Sequence, residues 1–362
     1  MKWVLIAFGI LVAFLLAQML LLAFAIARVD RQTEGLGYFG LPPAERDAFK
    51  AELRRQTRRL APALALLRLR ALPFDKASFE SEGLAGPRGS CSEDSFAAAR
   101  AYAAAPEDIF VATQMKCGTT WMQHLVYQVL TRGRGDLVGR GTALYAVSPW
   151  LEARMSVSLE EAPLLGEERP SRVIKTHLPR EHCPFVDEAR YIYVARHPVS
   201  CFASTLDFLR ANVGPLRLDP ASVESWFASP EMWWGPWPRH VSGWWTESQR
   251  ATNVLFVRFE DMKNDLAKTV VTVADFLGMQ PLTDEERSAI VGKCDFGYMS
   301  VHAATFEMHP PHLFNVDGPM FVRGTVDRHR DVDSAAGERI LSWCRSEMAE
   351  GPPSLEVLYP SA

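Results

Sequence analysis

The stretch ATQMKCGTTWMQ, residues 112–123, has the composition of a turn that binds an anion. It follows an apolar run and leads into a helical pattern, and backbone N–H groups at a helix start attract anions with the help of the helix dipole. Gly118 allows close approach of a ligand to the backbone. Lys116 adds a positive charge, and Thr119 and Thr120 add hydroxyl groups. The stretch predicts an anion site, with an ordinary strand-to-helix turn carrying a surface lysine as the alternative.

The spacing within this stretch differs from that of a nucleotide-triphosphate loop. That loop reads G-x-x-x-x-G-K-[ST], whereas here the lysine precedes the glycine and no earlier glycine opens the turn. The sequence therefore disfavours a magnesium-dependent triphosphate site. An ATP-dependent kinase on a related loop stays an alternative.

A second polar group follows a buried strand pattern in RVIKTHLP, residues 172–179. Lys175 and His177 stand at the exit of that strand, and Pro179 ends it. A histidine has a reference pKa of ~6.5, which suits proton abstraction near neutral pH. We predict that His177 is a general base, and the alternative is a structural histidine.

A third group lies in YVARHPVSCFAS, residues 193–204. Arg196 ends a strand just before a helix opened by Pro198, and Ser204 lies eight residues further on. A guanidinium fork with a nearby hydroxyl suits a second, separate phosphate. The alternative is an arginine that caps a pair of helices.

These groups need a scaffold that brings strand ends together. Short apolar strand patterns alternate with helical patterns from about residue 105, which predicts an α/β fold with a parallel sheet covered by helices. Ligands of such sheets bind at the carboxyl ends of the strands, where all three polar groups fall. The predicted strands are DIFVAT, SRVIKTH, ARYIYVAR and NVLFVRF, and the predicted helices include TTWMQHLVYQVL, PVSCFASTLDFLR and LAKTVVTVADFLGM.

Together the motifs resemble the sulfotransferase family, and more closely its soluble small-molecule branch than the carbohydrate enzymes. The family's loop reads like PKSGTTW where this chain has MKCGTTW, KTHLP matches letter for letter, and an arginine is followed eight residues later by a serine. The likeness continues through GPWPRHVSGWW, NVLFVRFEDMKND and ADFLG, and it covers about 105–300. It implies a P-loop-like three-layer domain.

The resemblance also implies the reaction. The donor would be 3′-phosphoadenosine 5′-phosphosulfate (PAPS), and the acceptor a hydroxyl of a small molecule, lipid or glycan, without a metal. His177 would take the acceptor proton, Lys175 would polarise the sulfuryl oxygens, and Lys116 would stabilise the leaving phosphate. The implied donor-binding residues are Lys116, Cys117, Gly118, Thr119, Thr120, Trp121, Arg196, Ser204, Phe259, Phe296, Arg323 and Gly324.

Within that set, the family implies a role for each position. Trp121 and Phe296 would sandwich the adenine, and Arg196 with Ser204 would hold the 3′-phosphate. Three departures stand out: Cys117 replaces a serine, Phe259 replaces a tyrosine, and the family's distal RKGxxGDWK is reduced to FVRGTVDRHR, residues 321–330. Arg323 and Gly324 keep part of this distal motif. Because the distal motif is degraded, a non-catalytic nucleotide-binding membrane scaffold is a further alternative. The family's dimer motif is also missing, which leaves the oligomeric state open.

Composition limits the other possibilities. The chain has 362 residues, a net charge of −4 and a pI of about 6.2, which gives no support for bulk nucleic-acid binding. The six cysteines form no CxxC pair and no zinc pattern, which favours buried free thiols. Six tryptophans fall between 226 and 245. Trp233 and Trp234 lie in a predicted loop and suggest an aromatic wall for an apolar acceptor, with loop packing as the alternative.

The N-terminus predicts a membrane anchor. Residues 3–26 carry no charge, and a bilayer needs ~20 such residues whereas a signal-peptide core needs ~7–15. We predict an anchor at 1–28, a juxtamembrane stalk and basic helical region at 29–104, and a catalytic domain at 105–362. Residues 27–42 are expected to be a linker, residues 44–72 helical, and residues 75–95 loop. The positive charges on the two sides of this apolar run are nearly balanced and do not indicate its orientation. Analogy with membrane-anchored members of the family favours a single-pass endomembrane (Golgi-like) protein with a lumenal catalytic domain.

Overall fold

The computed structural model describes residues 2–33, 37–67, 78–212, 218–308, 332–349 and 351–360. Its centre is a four-stranded sheet in the order β4-β3-β5-β6, with every neighbouring pair parallel. The strands are β3 (Asp108–Ala112), β4 (Arg172–Thr176), β5 (Arg190–Ala195) and β6 (Val254–Arg258). The predicted α/β fold with a parallel sheet is therefore confirmed.

The apolar character of the strands follows from their burial. All five residues of β3 are buried, and so are five of the six in β5, which is typical of strands covered on both faces. The flanking helices are α5 (Thr119–Leu130), α7 (Pro198–Asn212), α9 (Trp237–Ser248), α11 (Leu266–Phe276) and α12 (Asp284–Cys294). Shorter or peripheral helices are α4 (Glu93–Arg100), α6 (Leu144–Val147), α8 (Pro220–Phe227), α10 (Phe259–Asn264), α13 (Phe296–Val301), α14 (Ser334–Glu347) and α15 (Leu355–Leu358).

The segment expected to be loop at 75–95 contains regular structure, so that expectation was wrong. Strands β1 (Ser78–Ser81) and β2 (Leu84–Pro87) form an antiparallel hairpin. Its two-residue turn has positive φ at both positions, 52° and 75°, as the twist of a tight hairpin requires. A Cβ at Gly86 would lie 2.5 Å from the Phe79 ring, so the glycine is needed for that ring to pack.

The N-terminal helices are α1 (Lys2–Thr33), α2 (Pro43–Arg59) and α3 (Ala61–Leu67). Among the described residues, α1 is the one helix long and apolar enough to cross a membrane. The expected linker at 27–42 is partly helical, because α1 continues to Thr33. The basic helical pattern at 44–72 corresponds to α2 and α3 over the part of it that the structure describes.

The region before residue 105 also contributes to the main core. Tyr38 and Phe39, in a short 3-10 helix, are 0% and 5% exposed, and Phe79 and Phe96 are buried in the same cluster as the sheet. The division at residue 105 stays a prediction, although these side chains share one core with the sheet. All six cysteines are free and buried, as expected from their scatter.

Candidate active site

The phosphate-loop candidate connects β3 to α5 with an unusual backbone. Lys116 has a φ of 64° and Gly118 a φ of 104°, both in the left-handed region. A Cβ at Gly118 would lie 2.8 Å from the Phe259 ring, so only glycine fits beneath that ring. Within the described residues, no side chain caps the N-terminus of α5. Its first N–H groups therefore face outward as donors for an anion.

Buried polar contacts hold this loop from below. The Gln114 amide donates to the carbonyl oxygens of Trp233 and Gly235, at 3.0 and 2.6 Å. The Cys117 thiol is fully buried, 3.7 Å from the sulfur of Cys201. Burial raises the pKa of the Cys117 thiol. The side chain that replaces the family's serine thus packs under the loop, and only the backbone of Cys117 is placed to meet a ligand.

The two threonines that begin α5 are tied to neighbouring segments. The Thr119 hydroxyl lies 2.6 Å from that of Thr113, and the Thr120 hydroxyl lies 3.0 Å from that of Tyr145. Both threonines are nearly buried, at 5% and 6% exposed. Their hydroxyl groups are thereby fixed in position at the mouth of the helix.

Two cations flank the loop. The Lys116 ammonium lies 4.4 Å from the centre of the Phe208 ring. The buried Arg196 guanidinium lies 4.3 Å from the centre of the Phe259 ring and donates to the Lys116 carbonyl at 3.0 Å. Arg196 therefore connects the end of β5 to the loop between β3 and α5.

His177 is held in one tautomer at the end of β4. Its Nδ1–H donates to the carbonyl oxygen of Thr113 at 2.9 Å, which leaves the lone pair on Nε2. The ring is 3% exposed and packs against Trp234 and Trp150, at centroid distances of 4.8 and 5.3 Å. Burial and the neighbouring Lys175 lower the pKa of His177 well below its usual value. The imidazole is therefore neutral at pH 7, as a base must be before reaction.

Glu152 clamps the backbone that carries the histidine. It is fully buried, and its two oxygens accept the His177 N–H at 2.7 Å and the Thr176 hydroxyl at 2.9 Å. Burial raises the pKa of this carboxyl group. The segment that carries Glu152 pairs with the strand end through a bridge between Trp150 and Lys175. The His177 backbone N–H and the Thr176 hydroxyl are thus fixed relative to the sheet.

Lys175 is fully buried in an aromatic cage. Its ammonium lies 3.4 Å from the centre of the Trp150 ring and 3.4 Å from the hydroxyl of Tyr145. Burial lowers the pKa of Lys175 to about 7, against the attraction of Glu152. Because Tyr145 also contacts Thr120, this lysine lies one side chain away from the phosphate loop.

The predicted adenine and 3′-phosphate residues are placed in different ways. The Trp121 indole N–H donates to the Cys294 carbonyl at 2.8 Å, and its ring meets that of Phe259 at 5.5 Å. Phe296 is half-buried at the start of α13, two residues after Cys294. Ser204 is half-buried within α7. The predictions for Arg323 and Gly324 lie outside the described residues.

A mainly apolar cleft opens beside Lys175. The ring of Trp150 lines this cleft and separates it from the lysine ammonium. Trp234, with a φ of 59°, lies against both Trp150 and His177. The cleft is lined by Phe39, Ser90, Tyr145, Trp150, Ala153, Met155, Ser156 and Met308.

Sequence reasoning missed several of these residues. Glu152, Tyr145 and Trp150 come from a long connection without helix or strand periodicity, and an acidic residue beside the apolar Trp150-Leu151 pair is the one available signal. His240 was also missed, although it is fully buried and its Nε2 lies 2.9 Å from the His177 carbonyl. These residues support the predicted ones rather than replace them.

Comparison with known proteins identifies the family of this chain. A family model described as a sulfotransferase domain matches residues 106–352. The chain therefore belongs to the sulfotransferase family, and the resemblance seen in the sequence is confirmed. It is an enzyme that transfers a sulfuryl group from PAPS.

Individual relatives cover most of the catalytic region. Human sulfotransferase 1E1 is 28% identical over 62% of this chain and 76% of its own length. Mouse sulfotransferase 1A1 is 32% identical over 65% of this chain and 82% of its own. Solved structures that share the fold include retinol dehydratase in complex with retinol and PAP, with a TM-score of 0.62 and 20% sequence identity over 75% of this chain and 89% of that one. Another is mouse sulfotransferase SULT7A1 in complex with PAP, with a TM-score of 0.57 and 22% identity over 75% of this chain and 94% of that one.

Proposed function

We propose that this enzyme sulfates the hydroxyl group of an apolar acceptor, with His177 as the general base. The observation that carries the proposal is the connection between base and anion site. His177 donates to the Thr113 carbonyl, and the hydroxyl of the same Thr113 contacts Thr119 of the phosphate loop. A donor phosphate at the start of α5 and an acceptor hydroxyl at Nε2 would therefore be held in one fixed geometry, which favours in-line transfer.

Nε2 of His177 accepts the acceptor proton while the acceptor oxygen forms a bond to sulfur. The bond between sulfur and the bridging phosphate oxygen breaks, and its electron pair stays on that oxygen. Lys116 and the N–H groups of α5 stabilise the charge that develops on the leaving phosphate, and Lys175 stabilises the sulfuryl oxygens. Fixed donors and cations of this kind supply most of the catalysis in related group transfers.

The donor-binding roles are proposals as well. The N–H groups of residues 117–119 and the hydroxyls of Thr119 and Thr120 fit the 5′-phosphate. Trp121 would cover one face of the adenine, with Phe296 on the other. The buried guanidinium of Arg196 and the hydroxyl of Ser204 fit the 3′-phosphate, and Phe259 packs between loop and arginine. Arg323 and Gly324 are proposed to close the 3′-phosphate site on family resemblance alone.

The cleft beside Lys175 supports an apolar acceptor. Its wall consists mainly of aromatic and methionine side chains, and its aliphatic hydroxyl groups come from Ser90 and Ser156. Such a surface favours an apolar acceptor over a polyhydroxylated sugar, which would leave hydroxyls unpaired. Trp150 connects the cleft to the proposed base, because its ring lines the cleft and packs against His177. We also propose that α1 is a single transmembrane anchor, because nearly all its large apolar residues from Trp3 to Phe24 are exposed.

The decisive test measures sulfuryl transfer from labelled PAPS to phenols, sterols, long-chain alcohols and sugars. We expect turnover with the apolar hydroxylated compounds. His177→Ala should lower turnover about 10²–10⁴-fold while PAP affinity, measured by calorimetry, changes by less than about threefold. Lys116→Ala should lower both.

The matched control is His302→Ala, which removes a half-buried histidine at the end of α13. It should keep wild-type turnover. Retention of more than half of the wild-type turnover by His177→Ala with its best acceptor would show that His177 is structural. Transfer to sugars alone would overturn the apolar-acceptor assignment and leave the base untouched.

A further inference from the structure

Helix α2 joins the catalytic domain to the anchor. In its first half, Arg46 donates to the Gly141 carbonyl at 2.7 Å and Lys50 pairs with Glu307 at 2.5 Å. In its second half, Leu53 is 1% exposed in a separate apolar cluster. Phe49, near the middle of α2, packs against both this cluster and the main core. The second half of α2 therefore points away from the sheet and toward α1.

The second cluster fixes where α1 leaves a bilayer. It consists of Leu22 and Val29 from α1, Leu53 and Leu60 around the end of α2, and Ala63 and Leu64 from α3. In α1, Leu22 is the first residue that is buried by protein. Residues 3–21 would rise about 28 Å at roughly 1.5 Å per residue, close to the ~30 Å hydrocarbon core of a bilayer. With α1 as the proposed anchor, the end of α2 and the whole of α3 would lie at the boundary of the bilayer.

The exposed side chains at this boundary are strongly basic. Residues 53–67 contain four arginines and no acidic residue, in a chain with a net charge of −4. These arginines, namely Arg54, Arg55, Arg58 and Arg59, are all exposed. Glu52 pairs with Arg55, and it is the one acidic residue within the last eight residues of α2. In α3 the exposed residues Ala61, Pro62 and Ala65 are small and apolar, which suits contact with the acyl boundary.

We propose that the end of α2 and α3, residues 53–67, form a collar around the exit of α1 that binds anionic phospholipid headgroups. The proposal rests on α1 being the anchor proposed above. Charge complementarity selects the occupant, because arginines beside a membrane span are attracted to the negative surface of the cytoplasmic leaflet. The collar also changes the charge count that sets orientation. The four arginines at the end of α2, folded back to the exit of α1, favour a cytoplasmic catalytic domain, opposite to the side that analogy favoured.

The test uses the full-length protein in nanodiscs, either of phosphatidylcholine alone or with about one-third phosphatidylglycerol. Hydrogen exchange of the backbone amides in 53–67 is followed by mass spectrometry. We expect exchange to slow by about fivefold or more in the anionic discs. The double substitution Arg58→Gln and Arg59→Gln should remove most of that difference. The matched double substitution Arg140→Gln and Arg250→Gln, at exposed arginines of the catalytic domain, should preserve it.

The outcomes separate this proposal from the others. Equal exchange of 53–67 in both kinds of disc would overturn the collar, as would a lipid dependence that survives Arg58→Gln and Arg59→Gln. PAP binding by the same samples reports on the catalytic site independently. Release of the protein by alkaline carbonate would show that α1 is not the anchor and would overturn the collar with it.

Discussion

At the scale of single residues, buried polar contacts at the end of β4 hold His177 and Lys175 in position. Glu152 holds the strand end, Thr113 holds the ring of His177, and Lys175 lies between two aromatic rings. The sequence identified His177 and Lys175 because they stand at a strand exit. Their supports could not be identified, because a buried carboxylate in an irregular connection has no local pattern, and only the tertiary contact shows its role.

The lowered pKa of Lys175 predicts proton uptake when the nucleotide binds. With a pKa of about 7 in the free enzyme, this lysine is mostly neutral at pH 8. An anionic nucleotide nearby favours the charged form and raises that pKa. Binding of PAP at pH 8 should therefore take up a fraction of a proton, which calorimetry in buffers of different ionisation enthalpy measures. Lys175→Met should abolish the uptake, and undiminished uptake in that variant would assign the proton elsewhere.

Glu152→Gln is predicted to act on both geometry and charge. The amide keeps the size but offers one acceptor where the carboxylate offers two, so we expect turnover to fall about tenfold. Loss of the negative charge should also lower the pKa of Lys175 further, because Glu152 favours the charged lysine. The fall of kcat/KM toward high pH should then begin at lower pH than in the wild type. Glu188→Gln, at an exposed position, is the control, and an unshifted pH profile would leave Glu152 with a packing role alone.

At the scale of elements, the strands and long helices were predicted because their apolar patterns are continuous. The parallel order follows from strands alternating with helices, and α5 begins directly after Gly118, as the turn chemistry requires. The hairpin β1–β2 was missed because each strand has four residues, too short for a clear alternation. The prediction for the distal motif around Arg323 lies outside the described residues and stays untested.

The loop between β3 and α5 should be sensitive to a single methyl group. Gly118→Ala would place a Cβ 2.8 Å from the Phe259 ring at a φ of 104°. We expect a loss of about 1–3 kcal/mol, seen as a lower Tm and weaker PAP binding. Adding Phe259→Ala should recover part of the affinity, since the clash is relieved and the backbone strain remains. Gly292→Ala, in a helix with no atom within 4 Å of the new Cβ, should be neutral. Equal effects at both glycines would contradict this account of the loop.

At the scale of the whole molecule, the chain combines a family catalytic domain with an apolar helix that lies before the matched region. Composition and length predicted that helix from the sequence. Its side of the membrane could not be predicted, because the arginines of α2 are distant in sequence and become neighbours of α1 only through packing.

Sidedness gives a prediction that distinguishes the two orientations. In sealed vesicles with the cytoplasmic face outward, added protease should digest residues 37–360 without detergent and leave the span. Protection until detergent is added would place the domain in the lumen. Deletion of residues 2–21 should move the protein to the soluble fraction with PAP binding intact, because the site described above contains none of them. A deletion variant that stays in the pellet after alkaline carbonate would show that the span is not the anchor.

Phe39 lines the cleft only six residues after α1 ends at Thr33. The anchor would then hold the cleft within a short, fixed reach of the bilayer in which an apolar acceptor dissolves, and encounters would take place in two dimensions. The quantity that sets the rate would be the mole fraction of acceptor in the lipid, not its concentration in the whole volume. Adding inert phospholipid to a fixed amount of enzyme and acceptor would slow the reaction by surface dilution, whereas adding buffer would leave it nearly unchanged.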